Sequence, residues 1–352
     1  MKKETMTPKE RWLAVLQHKK PDRLPLDYNA TTEADALLMK YMRCPDTESM
    51  LKKLHIDVCV VVGPKYVGPS TPDGTDIYGC RYRNVNYVGG SYAECTYHPL
   101  ADYKSVDEIK KNYKWPDPDW WDYSDIPKQI IGKEDNIVRG GHSEPMLFYK
   151  YLRGDIQAFV DLIENPEIAH YCLDKLFELS YENTIRIYEA IPGVVKLTFV
   201  AEDLGGQEDL LYSPEHIREF LLPGMKKMMD LTHQNGAYVM HHSDGAIRKI
   251  LPAMIEAGID ILNPVQWRCK GMDREGLKRD FGDKIVFHSG VDNQHTLPFG
   301  TKDEVIKEVL DNIRILGRNG GYILAPCHNI QSNTPPENVV AMYETAYENG
   351  WQ

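Results

Sequence analysis

Four short apolar runs in the last third of the chain each end in residues able to ligate a metal or move a proton. Tyr238-Val239-Met240 runs into His241-His242-Ser243-Asp244-Gly245, and Asp260-Ile261-Leu262 into Asn263-Pro264-Val265-Gln266. Ile285-Val286-Phe287 leads to His288-Ser289-Gly290-Val291-Asp292, and Tyr322-Ile323-Leu324 to Ala325-Pro326-Cys327-His328-Asn329. Imidazole, carboxylate and thiol groups at neighbouring strand tips suggest a metal centre rather than acid/base chemistry alone. Successive strand residues alternate in direction. His242 and Asp244 can therefore face one side together while His241 points away.

Such groups meet only if the scaffold brings the strand ends together. A helical stretch precedes each run, and the pattern extends upstream. Val194 to Val200 reads as a strand, followed by helix 214–235, strand 237–241, helix 246–257, strand 259–263, helix 273–280, strand 284–288, helix 302–317, strand 321–325 and helix 335–348. Earlier, Leu24-Pro25-Leu26-Asp27-Tyr28 is short and extended, 31–55 reads as helical, and Asp57 to Gly63 is a nearly continuous β-branched run, as in a strand buried on both faces. Ile137 to Gly141 is a further strand, with helices at about 145–165 and 166–192. The expected class is α/β, a single (β/α)8 TIM barrel over residues 1–352, with the active site where the strand C-termini open. A doubly wound sheet is weakened because no Gly-rich phosphate loop follows an early strand. Thr7-Pro8-Lys9-Glu10 opens the first helix with a capping box and a proline at its first position.

Residues 64–135 break the repetition. They are rich in Gly, Pro, Tyr and Trp, and Tyr82, Val85 and Tyr87 suggest a small hairpin at 75–100. An aromatic insertion at this point is expected to reach over the barrel mouth, where loop variation sets specificity.

Composition narrows the function. The chain has 352 residues, is 42% hydrophobic and carries a net charge of −11. That charge, with no basic run, argues against a nucleic-acid partner. No apolar stretch approaches a membrane span, and no apolar signal core follows the N-terminal lysines, so a cytoplasmic protein is expected. Seven scattered cysteines fit a reducing compartment better than a disulfide framework.

Several segments resemble the uroporphyrinogen decarboxylase superfamily. They are Thr7-Pro8-Lys9-Glu10-Arg11, Lys20-Pro21-Asp22-Arg23-Leu24-Pro25, Ser213-Pro214-Glu215, His242-Ser243-Asp244-Gly245 and Pro335-Pro336-Glu337-Asn338. The superfamily holds cofactor-free decarboxylases and zinc-dependent methyltransferases that work with a corrinoid. The decarboxylase branch carries a Met-Arg-Gln-Ala-Gly-Arg pattern. Here Asp27-Tyr28-Asn29-Ala30-Thr31-Thr32 stands instead, and no arginine follows Arg23 until Arg43. A substrate with eight carboxylates needs a basic, bidentate pocket, so the methyltransferase branch is the better match. Its coenzyme M enzymes look like His-x-Cys with a later Cys on zinc. His242 and Cys327 match the outer pair, and Asp244 replaces the middle Cys.

The resemblance implies zinc with His242 and Cys327 among its ligands; Glu202, at the tip of the preceding strand, is the third choice, with Asp244 and His328 in reserve. Asp244, His288 and Asn263 are the candidate catalytic residues. Gln266 and Asp292 are candidate contacts to the corrinoid. A lone histidine such as His288 is, as a rule, a hydrogen-bonded core residue, and Cys327 can equally fill space. A carboxylate-containing ligand set suits an oxygen leaving group better than a thiolate-rich one. With 21 tyrosines and 6 tryptophans, a methoxylated aromatic is one candidate for the small methylated substrate, although tyrosine enrichment equally serves ordinary packing. No corrinoid-carrier pattern of Asp-x-His-x-x-Gly type is present, so the cobalamin is expected on a separate carrier protein. The alternatives are a metal-free decarboxylase of uroporphyrinogen type and a non-catalytic corrinoid- or porphyrin-binding barrel.

Overall fold

Seven of the apolar runs become strands of one parallel sheet. In spatial order they are Cys59–Val62, Ile137–Ser143, Leu197–Ala201, Tyr238–His242, Ile261–Asn263, Val286–His288 and Tyr322–Ile323, each paired with its neighbour in sequence. The computed structural model describes residues 3–87 and 90–352. The extended segment at 24–28 lies between the two outer strands. Leu324 N donates to Pro25 O (3.0 Å) and Asp27 N to Leu324 O (2.9 Å) on one side, and Asp57 N donates to Leu26 O (2.8 Å) on the other. The curled sheet is thereby bridged edge to edge, which is the architecture of a TIM-type barrel.

The interior explains the sequence pattern. Ile137, Leu197, Met240, Ile261, Val286 and Ile323 form a buried cluster with Trp12, Val15 and Leu16 of helix Pro8–Leu16. That helix begins with the expected capping box, Thr7 with Glu10. Trp12 is fully buried, forms part of the cavity wall above and donates through Nε1 to Asp57 O (3.0 Å). The outer helices include the 25-residue Pro166–Ala190 and the 14-residue Lys302–Ile315 and Pro336–Asn349.

Two stretches read as single helices are each broken in two, and the helix expected over 246–257 forms only over Leu251–Ala257. The helix expected over 31–55 is two, Thr32–Met42 and Thr47–Lys53, because Arg43 is left-handed and Asp46 caps a new start beyond Pro45. The stretch 145–165 is also two, Pro145–Arg153 and Asp155–Glu164, separated by Gly154 at φ 85°. The insertion contains the expected hairpin, Arg81–Tyr87 against Gly90–Tyr97. It adds helix Val106–Asn112 and a two-stranded ribbon, Lys65–Tyr66 with Trp121–Asp122. Among the described residues no helix is long and apolar enough to cross a membrane.

Candidate metal centre at the barrel mouth

The strand ends open into a cavity of about 560 Å³ whose wall includes Asp27, Glu144, Asp203, His242, Asn263 and His288. Two backbone devices shape it. The first is in strand Ile137–Ser143. Period-2 alternation would send Arg139 and His142 to opposite faces, yet both line the cavity. The register against Leu197–Ala201 shifts between them, at Gly141 with φ +82°. A side chain at Gly141 would strike Thr184 at 2.5 Å. The bulge re-aims His142 into the mouth.

The second device is the turn after Asp244. Gly245 has φ +86°, and a Cβ there would lie 2.3 Å from Gly205 O. The loops after Ala201 and His242 thus pack backbone to backbone, with Ala246 N donating to Gly206 O (2.7 Å). Gln266 secures the same turn by accepting from Gly245 N (2.7 Å).

Within this frame the ligand atoms of His242, Asp244 and His328 lie within 4.8 Å of one another. His242 Nε2 faces Asp203 Oδ1 at 3.7 Å and Asp244 Oδ1 at 4.0 Å. Asp244 Oδ1 is buried without a hydrogen-bond partner, a cost of the kind that a bound cation removes. Burial pushes the Asp244 carboxyl above its ordinary range; His242 and His328 oppose the rise and Asp203 adds to it. A cation at this point would reverse that balance. The donor set therefore fits a zinc ion, with two imidazoles and a carboxylate.

A hydrogen-bonded chain orients the first of these ligands. His242 Nδ1 donates to Asn263 Oδ1 (2.7 Å), which leaves Nε2 as the atom that would coordinate an ion. Asn263 Nδ2 donates to His288 Nδ1 (2.7 Å) and Ser289 Oγ (3.1 Å). His288 Nε2 donates to Asp27 Oδ2 (3.0 Å). Three strand ends and the extended 24–28 segment are thus linked, and His288 and Asn263 act on His242 from behind. We expect Asn263→Ala to weaken zinc binding about 10- to 100-fold, the usual cost of losing a ligand's orienting partner. Competition against a chromophoric chelator measures it, and an unchanged affinity would remove Asn263 from the site.

The other expected residues lie elsewhere. Glu202, expected as the third ligand, is not brought to His242. Both its oxygens accept from Met146 N (3.0 and 3.2 Å) at the start of helix Pro145–Arg153. It is buried, and that burial, with Glu144 and Asp203 adding, holds its carboxyl well above the ordinary range against Met146 N–H and Lys150. Cys327 lines the cavity but stands outside the three-residue group, with Sγ donating to Val265 O (3.2 Å). Burial raises its thiol well above the ordinary range, and the Gly290 backbone opposes the rise. Asp292 pairs with Arg268 (2.5 Å) and accepts from Gln294 N (2.9 Å). Gln266 and Asp292 lie beyond the main cavity, along a much smaller cleft. His241 is buried behind the strand with its imidazole lowered to about 4 by burial, the Val200 carbonyl opposing.

Sequence reasoning missed Arg139, His142, Phe199 and Asp203. Phe199 is the hub of this group: its ring lies 5.5 Å from those of both His142 and His242, and the Arg139 guanidinium sits 4.9 Å above it. The only signal was an arginine inside an apolar strand.

With this geometry in view, comparison with known proteins is informative. The family model for uroporphyrinogen decarboxylase (URO-D) matches residues 137–349. The chain belongs to the uroporphyrinogen decarboxylase family. It is similar to the uroporphyrinogen decarboxylase of Trichodesmium erythraeum, 28% identical over 188 residues, covering 52% of this chain and 48% of that one. It is also similar to that of Synechocystis sp., 27% identical over 184 residues, covering 51% and 48%. The chain spans about half the length of the curated relatives it matches. A methyltransferase from Methanosarcina mazei has the same fold, with a TM-score of 0.67 and 20% identity, covering 97% of this chain and 99% of that one. The family match thus spans six of the seven sheet strands, from Ile137–Ser143 to Tyr322–Ile323.

Proposed function

We propose that this URO-D family member is a zinc-dependent methyltransferase that moves a methyl group between a small methylated donor and a corrinoid held on a separate carrier protein. The observation that carries the reading is the clustering of His242, Asp244 and His328, with its unpartnered Asp244 oxygen, at the mouth of the barrel. When bound, zinc supplies Lewis-acid stabilisation of the oxygen from which the methyl group departs. The chain's own residues do the rest. His242 and Asp244 hold the ion, and Asn263 and His288 fix the His242 ring. Phe199 and Met240 line the apolar part of the cavity wall, and the carrier protein would approach from the strand C-terminal end.

The decarboxylase reading is favoured by the names of the curated relatives. The cavity wall opposes it. Of its lining side chains only Arg139 is a lysine or arginine, against Asp27, Glu144 and Asp203. An octacarboxylate would meet net repulsion there.

The test has two arms. Purified protein supplied with zinc is assayed for metal, then incubated with methoxylated aromatics and cob(I)alamin, whose methylation is followed by absorbance. About one zinc per chain and methyl-cobalamin formation are expected. Carbon dioxide release from uroporphyrinogen by metal-free protein would instead make the chain a decarboxylase.

A further inference from the structure

Arg139 has no assigned role, and its surroundings are unusual for a partly buried guanidinium. No carboxylate lies within 4.0 Å of it among the described residues, and its guanidinium sits over the face of Phe199, at 4.9 Å. Buried or half-buried arginines are normally paired. Arg11, Arg23 and Arg153 of this chain all are.

Its position gives the missing partner a direction. A second cavity, of about 400 Å³, adjoins the first and shares Val61, Arg139, His142 and Phe199 with it. Its other walls are mainly apolar and aromatic, including Tyr78, Trp121 and Phe148. Arg139 is the one lysine or arginine lining either space, and the Phe199 ring is close to both it (4.9 Å) and His242 (5.5 Å).

We propose that Arg139 anchors the carboxylate of a monoanionic aromatic substrate whose ring lies against Phe199 and the walls of the side cavity and whose methylated end faces His242 and Asp244. This rests on the methyl-transfer reading and names its substrate class. A guanidinium binds a carboxylate through two parallel N–H donors. A second anionic group on the substrate is disfavoured by Asp27, Glu144 and Asp203 across the cavity. The two ends of the ligand are thereby assigned by charge.

The test is binding, read separately from turnover. A panel of methoxybenzoates is titrated calorimetrically into zinc-supplied protein beside the matching methoxybenzamides, which share the ring and lack the charge. At least one acid is expected to bind about tenfold or more tightly than its amide, as charge-assisted bonds require. Arg139→Leu should abolish that preference with zinc content unchanged. Arg139→Lys should keep part of it, which covers the case in which the leucine variant folds poorly. No acid preferred over its amide in the wild type, or a preference that survives Arg139→Leu, would overturn the proposal. A wild type that binds no zinc yet prefers the acids through Arg139 would sink the methyl-transfer reading and leave the carboxylate anchor standing.

Discussion

If the methyl-transfer proposal holds, His242→Ala is expected to lower bound zinc from about one per chain to background and to slow cob(I)alamin methylation by about a thousandfold or more, because a Lewis acid worth several kcal/mol would be lost. Asp244→Ala does the same, since its buried Oδ1 has no other partner in the folded chain. Glu202→Gln keeps its zinc. Its two oxygens are committed to Met146 N, and a glutamine can still accept there through its carbonyl. Atomic absorption on the three dialysed variants decides the matter in one experiment. Zinc lost from Glu202→Gln and retained by Asp244→Ala would mean that the ligand set is the one read from the strand tips and that the barrel mouth rearranges around the ion. Cys327→Ser gives the finer distinction. Its thiol already donates to Val265 O, so zinc retention would leave His328 as the third ligand, and zinc loss would show that Cys327 turns towards the ion when it binds.

The pattern of strands was readable because each run is apolar on both faces and ends in polar residues, the requirement of a strand enclosed in a barrel. His242 and Asp244 were readable together for the same reason: two residues apart, they share a face. Three features lie beyond that logic. Arg139 and His142 face the same cavity only because Gly141 shifts the register, and nothing in their spacing of three announces it. Asp27 meets His288 across 261 residues of sequence, a contact made by barrel closure rather than by local pattern. Glu202 follows the end of its strand directly and looks like a ligand, but the neighbouring helix presents an unpaired N–H to it, and the buried carboxylate takes that donor. The helix breaks at Pro45 and Gly154 were marked in the sequence by their residue types. The apolar periodicity nevertheless runs through both.

Asp57→Ala is expected to cost about 3–5 kcal/mol of stability, because it strands buried charge. Its carboxylate receives Arg11 Nη1, Arg23 Nη1 (2.7 Å) and Nη2 (3.1 Å), and Leu26 N (2.9 Å). Asp57, Arg11 and Arg23 are all buried. Exposed pairs such as Lys226–Asp230 are worth at most about 1 kcal/mol, so their loss provides the control. Arg11 retains Asp22 after the substitution, at 2.7 and 2.9 Å, whereas Arg23 keeps only the half-exposed Glu4 as a carboxylate partner. The damage should therefore centre on Arg23 and the extended segment beside it. That segment bridges the two outer strands and carries Asp27, the acceptor for His288. Weakened closure at Asp57 should reach the metal centre through Asp27, His288 and Asn263 in turn. Asp57→Asn keeps an oxygen for Leu26 N and should lose less. Denaturant titration of the three proteins gives the order wild type, Asp57→Asn, Asp57→Ala. A loss below about 1 kcal/mol for the alanine variant would show that water or Glu4 replaces the carboxylate and that closure does not depend on this ion cluster.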